Sequence, residues 1–213
     1  MCSNRACNLD EEPRHVACRV IDRPAGSWLV LFLAVRASSR AKAMPIFVLY
    51  VNAELEGVAK FWVPQDTVWK LDVRQGSGTE ERKGVDIDPD DEVEVPETKN
   101  TKATFMMKFE GEKKFSYLKV LKPGGEGWPK NLELKPQTPD DGATMVPMFA
   151  CECRGMEPVK WDPIGPYCVE AESGTVYNEV GFREGDDWCE YDEKSGESMT
   201  VGHEIKYEFR LHK

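Results

Sequence analysis

The chain has 213 residues, 40% of them hydrophobic and 31% charged, and a net charge of −10. This is the balance of an ordinary globular chain, long enough for one substantial core. Residues 1–43 carry seven Lys/Arg against four Asp/Glu, leaving −13 on the rest, an acidic body that argues against nucleic acid and anionic membrane surfaces as partners.

Seven cysteines, an odd number in no dense framework, indicate reduced thiols in a cytoplasmic or nuclear protein, not a disulfide scaffold. The apolar run Trp28–Val35 is too short to cross a bilayer as a helix. Ala41-Lys-Ala43 resembles a cleavage site, but Asp10, Glu11, Glu12 and Asp22 precede the run, where a secretory signal has a short basic start. Residues 1–43 are therefore read as an N-terminal extension, disordered or not translated, and Met44 as the start of the folded body.

From Met44 the signals are those of strands. Phe47, Leu49, Val51, Ala53 and Leu55 fall on one face of a strand. Asp86–Glu97 is acidic but lacks EF-hand spacing and contains Pro89, so it reads as a solvated loop or strand edge, not a calcium site. Thr104–Phe109 and Lys114–Leu121 read as a hairpin closed by Glu110-Gly-Glu-Lys113. The Gly/Pro-rich Lys122–Pro129 reads as a surface connection between two halves, about 44–121 and 130–213. It lacks the Gly-Lys-Ser/Thr of a phosphate loop. Met145–Cys153 is a further apolar run. Ile205, Tyr207, Phe209 and Leu211 alternate with polar residues, predicting a C-terminal strand with one face buried. Together these predict an all-β, sandwich-like body of two sheet-rich halves.

An ordered series then follows: Glu152-Cys-Arg-Gly-Met-Glu-Pro-Val159, Val169-Glu-Ala-Glu-Ser-Gly-Thr175, Asp187-Trp188 and Glu190-Tyr-Asp-Glu-Lys194. This series resembles the C-terminal half of the eukaryotic CXXC-motif-containing zinc-binding protein family over about residues 145–200, and extends more weakly back to Met44. The resemblance implies a β-rich fold of two related halves and a structural zinc held by two Cys-x-x-Cys pairs in the N-terminal half. Four thiolates in a closed tetrahedron serve structure, not catalysis.

This chain departs from that pattern, because no cysteine lies between Cys18 and Cys151. Aligned by flanking residues, the first pair falls on Arg74 and Ser77 and the second on Phe109 and Glu112. The expected cofactor is accordingly none. Arg74 and Glu112 are expected to pair across the former site, with Phe109 packed beneath. The N-terminal Cys2, Cys7 and Cys18 lack knuckle spacing and are not expected to replace the ligands.

Cys151 and Cys153 are expected to point to opposite strand faces, with Cys153 a small buried residue in the sheet and not a ligand. A nucleophile–base pairing of Cys153 or Cys168 with His203 has no supporting motif, so no enzyme activity is expected. Glu157, Trp161, Trp188, Tyr191, Asp192 and Glu193 are candidates for a protein-partner surface, since Trp and Tyr anchor interfaces. The competing reading places both tryptophans in the core, and is preferred for them. The expected function is a non-enzymatic cytosolic interaction or scaffold protein with an unknown protein partner. The alternative is a metal- or small-molecule-binding protein using a cavity between the halves or the C-terminal cysteines.

Overall fold

In a computed structural model of the chain, the described residues are 44–98, 100–182 and 185–212. The expected extension and its three cysteines lie outside them. Apart from one 3-10 turn at Pro139–Asp141, every regular element described is a strand, and all pairings are antiparallel.

The largest sheet runs β16 (Lys206–His212), β1 (Ile46–Asn52), β10 (Val146–Arg154), β9 (Ser116–Val120) and β8 (Phe105–Met107). β1, β10 and β9 are its interior strands, and β1 and β10 are buried on both faces, as covered strands are. Leu49 and Val51 enter the main core, while Val48 on the opposite face packs with Leu121, Leu132 and Ala150. The connection after residue 121 therefore folds back over this sheet, and the Trp128 indole donates to the Leu132 carbonyl. β16 is an edge strand. Tyr207 and Phe209 pack on the core, but Leu211 is half exposed, so the alternation buries only part of that face.

Three three-stranded sheets complete the body. They are β11 (Met156–Trp161), β4 (Trp69–Gln75), β5 (Glu81–Ile87); β13 (Val176–Val180), β12 (Tyr167–Ala171), β3 (Val58–Trp62); and β14 (Trp188–Asp192), β15 (Glu197–Val201), β2 (Leu55–Glu56). A small ribbon pairs β6 (Val93–Glu94) with β7 (Lys102–Ala103). Aromatic rings link the sheets through the core. Trp69 lies 4.4 Å from Phe149 and 5.9 Å from Trp161, and Trp161 meets Tyr207 at 5.6 Å. Tyr167 joins Phe61 at 5.2 Å. Such pairs add about 0.5–1.5 kcal/mol each beyond the area they bury.

Gln137 closes the end of β1. Its amide donates to the Ala53 carbonyl and accepts from the Ala53 N–H, both at 2.7 Å and both buried. Its own backbone forms a bridge with Phe61. One side chain thus satisfies backbone groups that no strand reaches, as burial requires.

Candidate functional site

The four positions aligned with zinc ligands lie at two neighbouring turns, with Arg74 still in β4 just before the first. The first follows β4, where Gly78 N–H bonds back to the Gln75 carbonyl. The second, Phe109–Glu112, joins β8 to β9. Glu112 N–H bonds to the Phe109 carbonyl, and Gly111 sits at φ 76, the left-handed conformation that this turn position requires.

Protein contacts tie the turns together. Gln75 Nε2 donates to Glu112 Oε1 at 2.7 Å, and Ser116 Oγ donates to Glu112 Oε2 at 3.2 Å. Glu110 N–H donates to the Glu80 carboxylate at 2.9 Å. Phe109 is buried in the main core. Gly155, the corner between β10 and β11, holds both turns: its carbonyl accepts from Gly76 N–H, and Ser116 packs against its Cα. A Cβ there would stand 2.4 Å from Ser116 Oγ, and φ is 73, so the glycine of Glu-Cys-Arg-Gly is a steric requirement.

The expected Arg74–Glu112 pair is not formed. Arg74 Nε bonds instead to Glu157 Oε1 at 2.9 Å. The reason is register. Arg74 and Glu157 face each other across β4 and β11, which puts their side chains on one face. Gln75, one residue on, is presented to the other side and takes the role assigned to Arg74. The burial of Phe109 is as expected.

These residues do not fit zinc. Phe109 has no donor atom, Arg74 is a paired cation, and Ser77 is an exposed hydroxyl; zinc takes thiolate, imidazole or carboxylate. Among the described residues, no group of three or more His, Cys, Asp or Glu is placed to hold a metal ion.

Cys151 and Cys153 are free and buried. They do not point to opposite faces. Two residues apart is one full pleat repeat, so they share a face and their sulfurs lie 3.7 Å apart. Burial, and then Cys151, push the Cys153 thiol well above its ordinary range. Cys168 donates to Asn178 Oδ1 at 3.2 Å, and burial raises its thiol too. His203 Nδ1 is engaged by Asp187 Oδ1 at 2.6 Å.

The candidate partner surface does not form one patch. Glu157 is bound to Arg74 on β11. Trp161 is 3% exposed and belongs to the aromatic core. Asp192 is 1% exposed and accepts from the N–H groups of Lys194 and Ser195, shaping the turn after β14. Hydrogen bonds from the Ser173 and Ser195 hydroxyls lower its carboxyl to about 2. Trp188 is half-buried beside Tyr177, whereas Tyr191 and Glu193 are exposed. The sequence reading missed Gln75, Glu80, Ser116 and Gln137. The partners of Gln75, Glu80 and Gln137 lie tens of residues away, and Ser116 reaches Glu112 four residues back across the turn, so no local pattern marks them.

The profile described as "CXXC motif containing zinc binding protein, eukaryotic" matches residues 48–210. The chain is 36% identical over 77 residues to a "CXXC motif containing zinc binding protein" of Xenopus laevis, covering 36% of this chain and 47% of that one. It is 40% identical over 75 residues to "UPF0587 protein CG4646" of Drosophila melanogaster, covering 35% and 42%. The aligned segment thus spans about half the length of these relatives or less. A solved structure described as "Crystal Structure of C1orf123" superposes with a TM-score of 0.66 at 26% identity, covering 78% of this chain and 99% of that one. With the profile matched along most of its length and the fold shared, the chain belongs to the eukaryotic CXXC motif containing zinc binding protein family.

Proposed function

We propose that the chain is a non-enzymatic protein-interaction module or scaffold of the cytosol, held together without zinc at the position where its family places the metal. The knuckle pair carries this reading. Gln75, Glu112, Ser116 and Glu80 join the two turns by hydrogen bonds, and Phe109 fills the space beneath them. The thiols weighed as nucleophiles, Cys153 and Cys168, support it, since both are buried and neither bonds to His203, whose ring is engaged by Asp187. The acidic body disfavours nucleic acid and anionic membranes. Among the described residues, no helix is long and apolar enough to cross a membrane.

A second reading, a small-molecule binder, rests on an open cavity of about 320 Å³ lined by Trp62, Val63, Leu134 and Met148. It is at the small end of ligand pockets. Its polar rim is already used, because Lys60 bonds to Glu170.

Elemental mass spectrometry on the reduced, purified chain should find no stoichiometric metal. Cross-linking mass spectrometry on the tagged chain in its own cells should recover a recurrent protein partner at fixed stoichiometry. About one zinc per chain would overturn the zinc-free reading. Recovery of the chain alone, with a small molecule co-purifying, would favour the cavity.

A further inference from the structure

The strands β13 and β14 are both sheet edges. β13 pairs with β12 and β14 with β15, and neither pairs with the other although they follow in sequence. Together they line one groove of about 570 Å³. Each edge carries backbone N–H and C=O groups with no ladder partner on its open side, the arrangement that accepts an added strand.

The chemistry of the groove selects what would be added. Its lining includes Glu179 from β13, Glu190 from β14, and Asp186 and Asp187 before β14. Among the described lining residues none is Lys or Arg. Asp187 is occupied by the His203 ring and backbone N–H. Glu179, Asp186 and Glu190 make no ion pair among the described residues. Tyr177 and Trp188 stand in the same groove as an edge-to-face pair 5.8 Å apart. Aromatic faces attract ammonium and guanidinium groups, and unpaired carboxylates beside them strengthen that attraction. The hydroxyl of Tyr177 registers the local field. Burial raises its pKa first, and the nearby carboxylates of Asp192, Glu190 and Glu193 raise it further. A bare divalent cation is a poorer match, since these acids are not gathered into a metal-holding group. Free edges also favour a polypeptide over a small amine.

We propose that the groove between the open edges of β13 and β14 binds an extended peptide segment bearing lysine or arginine. Its backbone follows a strand edge, and its cationic side chains meet Glu179, Asp186 and Glu190 around the Tyr177–Trp188 rings. This deepens the interaction-module reading and rests on it, naming where a partner docks and what charge it carries.

The test is fluorescence anisotropy on the full chain at about 0.15 M salt, where exposed charges more than about 8 Å apart are largely screened. The probe is a labelled peptide of alternating lysine and threonine, and an alternating glutamate–threonine peptide is the control. The lysine peptide should bind and the glutamate peptide should not. E179Q/D186N/E190Q should weaken binding about tenfold or more, equivalent to about 1.4 kcal/mol. E94Q/E133Q/D140N removes the same charge elsewhere and should change it by less than about twofold, as expected for distant screened charges. A lysine peptide N-methylated at alternate residues should lose affinity, because it cannot complete a ladder. Circular dichroism confirms that both triple variants are folded. No binding of the lysine peptide, equal weakening by both triple variants, or full binding by the N-methylated peptide would each overturn the proposal. None of these outcomes would touch the wider interaction reading, which stands or falls on recovery of a stoichiometric partner.

Discussion

Replacing Glu112 with alanine removes the acceptor that joins the two turns. Glu112 takes the Gln75 amide at 2.7 Å and the Ser116 hydroxyl at 3.2 Å. A hydrogen bond to a charged group contributes about 1.5–3 kcal/mol, and less where solvent reaches it. Glu112 is half-buried, so the short bond is taken at about 1.5 kcal/mol and the long one at about 0.5 kcal/mol, for a total loss of about 2 kcal/mol. In a body of this size that lowers the thermal midpoint by about 4–8 °C. The assay is urea unfolding of Gln75→Ala, Glu112→Ala and the double variant, with unchanged m-values confirming a two-state comparison. The coupling energy should be about 1 kcal/mol, whereas Arg74→Ala and Glu112→Ala should add to within about 0.5 kcal/mol. A chelator in excess should leave every midpoint unmoved. Additivity of Gln75 with Glu112, or coupling of Arg74 with Glu112, would refute the hydrogen-bonded bridge.

Phe109→Ala should cost about 3–5 kcal/mol by emptying the core beneath the bridge, read as a drop in urea midpoint. A loss under about 1 kcal/mol would mean that Phe109 does not help to hold the turns. Gln137→Met keeps the volume but strands the Ala53 N–H and C=O, at about 1–3 kcal/mol each, so it should destabilise nearly as much as Gln137→Ala. A near-neutral methionine variant would show that packing, not hydrogen bonding, is what Gln137 supplies. Asp192 has a folded pKa of about 2, below the unfolded value near 3.9. Its contribution is therefore complete above about pH 4 and fades as pH falls toward 2. Asp192→Asn should flatten stability over that window, and an acid limb identical to the parent's would count against this assignment.

Much of the strand content was legible locally. Alternation marked β1 and β16, and the apolar run at Met145–Cys153 marked β10 to within a residue. The hairpin was legible as a pairing, though its strands are shorter and its loop longer than expected, because Phe109 turns into the core. The faces of Cys151 and Cys153 were legible too. A period of two places them together, and the expectation of opposite faces misapplied it.

The sequence by itself determined the β class, the family, and the absence of cysteine from the zinc positions, since each depends on residue type and order alone. Only the tertiary structure decided which side chains bridge those positions. Gln75 meets Glu112 across 37 residues, Arg74 meets Glu157 across 83, and Gln137 meets Ala53 across 84. Periodicity tells which face a residue occupies, but its partner depends on register between distant strands. A shift of one residue in that register moves a side chain to the opposite face. The single step from Arg74 to Gln75 decides which side chain reaches Glu112 and which reaches Glu157.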